Sequence, residues 1–123
     1  GLGDRLECVS ADMFVDEVPP GVDAILLSNV LHDWDVRECR ELVTRLAAAL
    51  PPGGKLLVHD VFLNDELDGP LPIALYSAAL FSLTEGRAYS AAEYRSWMEE
   101  AGLQPGEITP TLVHCGVLAG VKV

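Results

Sequence analysis

With 123 residues, half of them hydrophobic, the chain has room for one domain around one modest core and is too apolar to be disordered. Eight Lys plus Arg against nineteen Asp plus Glu give a net charge of −11, a surface that repels phosphate backbones and anionic membranes, so neither nucleic acid nor membrane is expected as a partner. No apolar run approaches the roughly 20 residues of a membrane span, and no basic-then-apolar leader marks secretion.

Arg5-Leu6-Glu7-Cys8-Val9 alternates and reads as a strand that ends at Ser10-Ala11-Asp12-Met13-Phe14. Pro19-Pro20-Gly21 is a turn. Asp23 to Val30 is a second strand, a near-continuous apolar run of the kind found when both faces of a sheet are covered. It stops abruptly at His32-Asp33-Trp34. Asp35 with Glu38 forms a capping-box pattern. Val36, Cys39, Leu42, Val43, Leu46 and Leu50 then recur at helical spacing, and Pro51-Pro52-Gly53-Gly54 terminates the helix.

Lys55 to Leu63 reads as a third strand and Asn64 to Pro70 as a polar loop. Leu71 to Leu83 is apolar on nearly all sides and, as a helix, is expected to be buried on more than one face. Ser90 with Glu93 marks another capping box, followed by the stripe Tyr94, Trp97, Met98, Ala101 and a stop at Gly102. Glu107 to Leu112 and Cys115 to Val123 read as closing strands around a turn near Val113-His114. Strand-helix-strand alternation predicts a mostly parallel α/β sheet with right-handed crossovers, and the final pair an antiparallel hairpin.

Cys8, Cys39 and Cys115 are odd in number and widely spaced. This suits reduced intracellular thiols, buried and inert, better than a disulfide framework or a zinc site; the expected location is cytoplasmic. No metal constellation, nucleophile elbow, phosphate loop or CxxC is present.

His32 is the residue most suggestive of chemistry, because ligands in open α/β sheets sit outside the carboxyl ends of the strands and imidazole moves protons near neutral pH. It reads either as a structural residue at the start of a helix or as a general base. Asp60 closes the neighbouring strand and reads either as a solvated loop carboxylate or as the group that fixes the imidazole tautomer. Asp12 is a turn residue or an acceptor for a ligand's amino or hydroxyl group, with Met13 and Phe14 as apolar surface. His59 and His114 are read as structural, and Trp34 and Trp97 as core anchors.

In four blocks the chain resembles the carboxyl-terminal part of class I S-adenosylmethionine-dependent O-methyltransferases, in particular the plant caffeate-type and bacterial polyketide enzymes. The blocks are Ala11-Asp12-Met13-Phe14; Leu27-Ser28-Asn29-Val30-Leu31-His32-Asp33-Trp34; Leu50-Pro51-Pro52-Gly53-Gly54-Lys55-Leu56-Leu57-Val58; and Tyr89-Ser90-Ala91-Ala92-Glu93-Tyr94 through Ala101-Gly102-Leu103. The resemblance implies a partial Rossmann-like fold that lacks the first two strands, so that residues 1–123 form a single, incomplete portion of a catalytic domain. It implies S-adenosylmethionine as cofactor, with Asp12 and Met13 holding the adenine and Ser28 making a polar contact. His32 would then be the general base toward an aromatic or polyketide-like hydroxyl. Asp60 would steady it, and the helix around Ala79 to Leu83 would line the acceptor pocket. A homodimeric parent is implied as well.

Two features depart from the family's pattern. Ala88 stands where a second steadying carboxylate is expected, and the glycine-rich cofactor loop, the acidic ribose-binding residue and the dimerisation domain are absent. The chain by itself is therefore expected to be inactive. A second reading is a non-catalytic domain of the same ancestry that acts by protein-protein contact through an exposed sheet edge.

Overall fold

The computed structural model describes residues 1–123. Its elements are β1 (Ala24–Ser28), α1 (Val36–Ala49), β2 (Lys55–Leu63), α2 (Leu71–Leu83), β3 (Tyr89–Ser90), α3 (Ala91–Glu100), β4 (Leu103–Pro110) and β5 (Cys115–Lys122). The sheet runs in the order β1-β2-β5-β4, with the two residues of β3 beside the end of β2. β1 and β2 are parallel, with Leu27 opposite Val58 and Ser28 opposite His59. β5 is antiparallel to both β2 and β4, which makes it the one reversed strand of the four. The expected α/β architecture, parallel with a closing antiparallel hairpin, is the one observed.

One face of the sheet carries the core. β2 alternates Leu56, Val58 and Asp60 toward the helices, as a strand's two-residue period requires, and α1 presents Cys39, Leu42, Val43, Leu46 and Ala47 at helical spacing. Tyr89, Tyr94, Trp97 and Met98 complete this layer from α3 and its approach. Burial of each large apolar side chain contributes roughly 1.5–3 kcal/mol. The capping box at Ser90 and Glu93 forms in full. At the start of α1, Asp35 accepts from the Val36 amide, and no reciprocal bond from Glu38 forms.

Four expectations are corrected. Arg5–Val9 is not a strand: apart from a 3-10 turn at Gly3–Arg5 this segment is irregular and exposed, with Leu6 at 70% and Val9 at 61%. Alternation makes a segment competent for a sheet, but its amide and carbonyl groups need a neighbouring strand, and none lies beside it. α1 and α3 cover one face of the sheet, while the other is covered only at the end of β2, where Ile73 of α2 packs on Val61 and Leu63, so Leu26 is 60% exposed and β1 has a free edge. α2 buries only Ile73 and Leu80, leaving Leu71, Leu75, Phe81 and Leu83 exposed. Among the thiols, Cys39 alone is fully buried; Cys115 is half-buried and Cys8 exposed.

Candidate active site

The register of β1 and β2 assembles the site. β1 ends at Ser28, and Asn29 takes the left-handed conformation (φ 55°) that asparagine tolerates, its amide bonding to the His59 carbonyl at 2.9 Å. The chain then turns through a 3-10 turn, Leu31–Asp33, which aims the His32 ring at β2. Gly86 braces this turn from the other side. A β-carbon there would clash with the backbone oxygen of His32 and lie 2.6 Å from the amide nitrogen and carbonyl oxygen of Trp34, so only glycine permits the approach. The Glu85 amide also donates to the Asp33 carbonyl, at 3.2 Å.

His32 and Asp60 are brought together. The His32 Nδ1 lies 2.7 Å from Asp60 Oδ1, and the two residues are 4% and 1% exposed. An ionised carboxylate can only accept, so Nδ1 carries the hydrogen and Nε2 is the titrating atom of the neutral ring. Asp60 Oδ1 also accepts from the Val61 amide at 2.8 Å, and the Tyr94 hydroxyl lies 3.5 Å from Oδ2. Asp33, half-exposed, places a second carboxylate oxygen 3.6 Å from Nε2. Burial pulls the His32 pKa down, but the Asp60 hydrogen bond and the charges of Asp60 and Asp33 outweigh it, and the pKa is raised above 6.5.

A cavity of about 310 Å³ lies one side chain away from this pair, bounded by Asn29, Val61, Pro72, Ile73, Tyr76 and the Val113–Cys115 segment. The Tyr76 ring packs edge-on to His32, with centroids 5.7 Å apart, so one side chain both walls the cavity and touches the imidazole. α2 contributes to this cavity through its first two turns, and Ala79 to Leu83 do not line it. Neither His32 nor Asp60 lines this cavity itself, but Tyr76 and Val61 connect it to them. A larger open depression of about 810 Å³ beside α1, walled by Arg37, Arg40, Glu41 and Arg45, has no lining residue in contact with the His32 or Asp60 side chain.

The remaining candidates lie around the pair. Ser28 and His59 share the face opposite α1 and α3, with Ser28 Oγ 2.8 Å from His59 Nδ1. Asp12 forms its own turn, Oδ1 accepting from the Phe14 amide at 2.8 Å, while its amide donates to Asp16 Oδ2 at 2.7 Å. Met13 is half-buried and held to α1 by the Arg45 Nε bond to its carbonyl. Phe14 packs edge-on to Trp34 at 4.8 Å, which ties this segment to the turn bearing His32. Ala88 is fully buried among Val61, Leu63 and Ile73. Sequence reasoning passed over Asp33, Tyr76 and Tyr94 as site residues. Asp33 adjoins His32 in the chain and was in plain view; the other two are apolar-looking helix positions whose roles depend on packing alone.

Residues 1–104 match the family model of the O-methyltransferase domain. The chain is 38% identical over 126 aligned residues to the 3-hydroxy-5-methyl-1-naphthoate 3-O-methyltransferase of Streptomyces sahachiroi, covering 99% of this chain and 36% of that enzyme. The crystal structure of an O-methyltransferase family 2 protein from Planctomyces limnophilus DSM 3776 in complex with apigenin superposes with a TM-score of 0.95 at 57% identity, over 98% of this chain and 36% of that one. Human N-acetylserotonin methyltransferase in complex with SAM superposes with a TM-score of 0.86 at 30% identity, over 93% and 33% of the two chains. This chain spans about a third of the length of these relatives. It belongs to the O-methyltransferase domain family.

Proposed function

We propose that these residues are the carboxyl-terminal part of a catalytic domain that transfers a methyl group from S-adenosylmethionine to a hydroxyl of an aromatic or polyketide-like small molecule. The observation that carries this reading is the buried 2.7 Å pair of His32 and Asp60 just past the end of the parallel β1–β2 ladder, with the Tyr76 ring between His32 and a cavity. Acceptors of this class are consistent with the naphthoate and apigenin named for the relatives.

The residues present fit part of the cofactor. Asp12 Oδ2 makes no bond within the protein and is free to accept from an exocyclic amine, beside the half-buried Met13 thioether. Ser28 Oγ offers a further polar contact at the end of β1. When bound, S-adenosylmethionine supplies an electrophilic sulfonium methyl.

The chain's own work is proton handling and alignment. Asp60 holds Nδ1–H and so presents the Nε2 lone pair. That atom takes the proton of the acceptor hydroxyl as the oxygen gains the methyl, and Asp60 and Asp33 stabilise the resulting imidazolium. The apolar cavity walls Val61, Ile73 and Tyr76 accept a flat, largely apolar body. Because the pKa of His32 is raised, turnover should rise with pH as the ring loses its proton.

The test is His32→Ala in the full-length protein. General-base catalysis contributes about 10² to 10⁴-fold, and turnover should fall in that range with the affinity for S-adenosylhomocysteine nearly unchanged. Wild-type turnover in this variant would remove the base from the mechanism and leave alignment as the source of catalysis.

A further inference from the structure

We infer that His59 is a positioning residue for the cofactor: with Thr111 it fixes the Ser28 hydroxyl so that its one open valence meets a sugar hydroxyl of the nucleoside. This rests on the reading of Ser28 as a cofactor contact and goes beyond it to residues read from the sequence as structural or not at all.

The three side chains form a string on the face of the sheet opposite α1 and α3, short of the end of β2 where α2 packs on Val61 and Leu63. Ser28 Oγ lies 2.8 Å from His59 Nδ1, and His59 Nε2 lies 3.2 Å from Thr111 Oγ1 just beyond the end of β4. His59 and Asp60 are successive residues of β2 and so project to opposite faces. One strand end thus supplies a group to the base on the covered face and a group to this string on the other.

A surface serine hydroxyl ordinarily samples three rotamers. Here it has two partners, because Asn29 Nδ2 also donates to Oγ, at 3.4 Å. A hydroxyl has one donor and two acceptor positions. The Asn29 amide takes one acceptor position. His59 takes the second acceptor position or the donor, according to tautomer, and one valence is left either way. Its sense follows from the imidazole between two hydroxyls. With the hydrogen on Nδ1, Ser28 donates outward; with the hydrogen on Nε2, Ser28 accepts. A contact able to do both suits an alcohol, and a carboxylate or ammonium group less well. The apolar side chains of Leu26 and Leu57 on the same face have no polar group to offer.

The experiment measures S-adenosylhomocysteine binding by calorimetry, and kcat and KM, in the full-length protein and its variants Ser28→Ala, His59→Phe, Thr111→Val and the Ser28→Ala/His59→Phe pair. One well-placed hydrogen bond corresponds to about five- to tenfold in affinity. Ser28→Ala and His59→Phe should each raise the dissociation constant and the cofactor KM by that factor, with a smaller change in kcat. The pair should be no weaker than Ser28→Ala alone, since His59 acts through Ser28. Thr111→Val, at an exposed position that folding tolerates, should weaken binding about two- to threefold. If Ser28→Ala binds as wild type, the cofactor-contact reading itself fails. If Ser28→Ala weakens binding but His59→Phe and Thr111→Val do not, or if the effects of the first two multiply, the positioning role is overturned while the contact stands.

Discussion

Replacing Asp60 by Asn keeps the shape of the side chain and removes its charge, which isolates what the carboxylate does for His32. The Nδ1–H still finds an amide oxygen at about the same place, so the buried ring keeps a hydrogen bond, now neutral. A hydrogen bond to a charged group contributes roughly 1.5–3 kcal/mol, and each 1.4 kcal/mol or so is a factor of ten in rate. The neutral bond that remains keeps roughly 0.5–1.5 kcal/mol of this, so if the charge is felt mainly in the imidazolium form, about 1–1.5 kcal/mol is lost and turnover in the full-length protein falls by about five- to twelvefold. The pH profile must move as well. Burial lowers the His32 pKa, and with Asp60 neutral only the half-exposed Asp33 opposes it, so the rising limb shifts to lower pH. Stability gives an independent readout. The folded pKa lies above 6.5, so the pair's contribution is complete below that value and is lost as pH rises through the folded pKa. The urea midpoint of the wild type should carry this dependence and that of Asp60→Asn should not. Turnover within twofold of wild type, with an unmoved limb, would refute the coupling of base and carboxylate.

Gly86→Ala forces a β-carbon against the backbone of His32 and Trp34; at about 1–3 kcal/mol for overpacking, the melting temperature should drop, and turnover with it as the turn bearing His32 shifts. Ala88→Glu puts a carboxylate into the fully buried cluster of Val61, Leu63 and Ile73. An unpaired buried charge costs several kcal/mol, so this variant should melt lower and show no gain in turnover; an unchanged melting temperature with faster turnover would mean that the base lacks a second carboxylate. Burial pushes the Cys39 thiol up to about 12, and its sulfur donates to the Leu31 carbonyl at 3.1 Å. At pH 8 a thiol reagent followed by mass spectrometry should label Cys8 first and Cys39 only after denaturation.

The legible parts of the fold were those in which periodicity and punctuation agree. β2 occupies Lys55–Leu63 as read, because a β-branched and leucine run is bracketed by Gly53-Gly54 and Asn64. Helix α2 likewise matches in extent, Leu71–Leu83. Its burial does not, because composition says that a helix is apolar and is silent on what lies beside it. The Arg5–Val9 segment carries the same lesson for strands: the pattern is local, whereas the hydrogen-bonding partner is not. In the site, His32 and Asp60 were readable as a pair because both lie just past the end of the ladder between two consecutive parallel strands, His32 in the turn after β1 and Asp60 one residue beyond the last pair. The reading differs in that β2 runs on to Leu63, so that Asp60 lies within the strand and does not close it. Tyr76 and Tyr94 were not readable, since their approach to His32 and Asp60 depends on how α2 and α3 rotate about their own axes.

The two halves of the site differ in what holds them, and this decides what the 123-residue chain does alone. The base half is closed within these residues: the β1–β2 register, the Asn29 amide on His59, the Gly86 contact and the core around Tyr94 all fix His32 against Asp60. The cofactor half rests on Asp12 in an exposed turn and on an exposed Ser28 at the end of β1, on the face opposite α1 and α3. Pockets that bind small molecules well bury 70–90% of the ligand's surface or more, and two contacts on an open face cannot. Calorimetry with S-adenosylhomocysteine on the isolated chain should therefore show no micromolar binding, and methyl transfer should be absent. NMR titration of the same sample should still find the His32 pKa raised. Micromolar affinity would mean that Asp12, Met13 and Ser28 suffice, and an unperturbed imidazole would mean that the pair depends on residues beyond these 123 for its geometry.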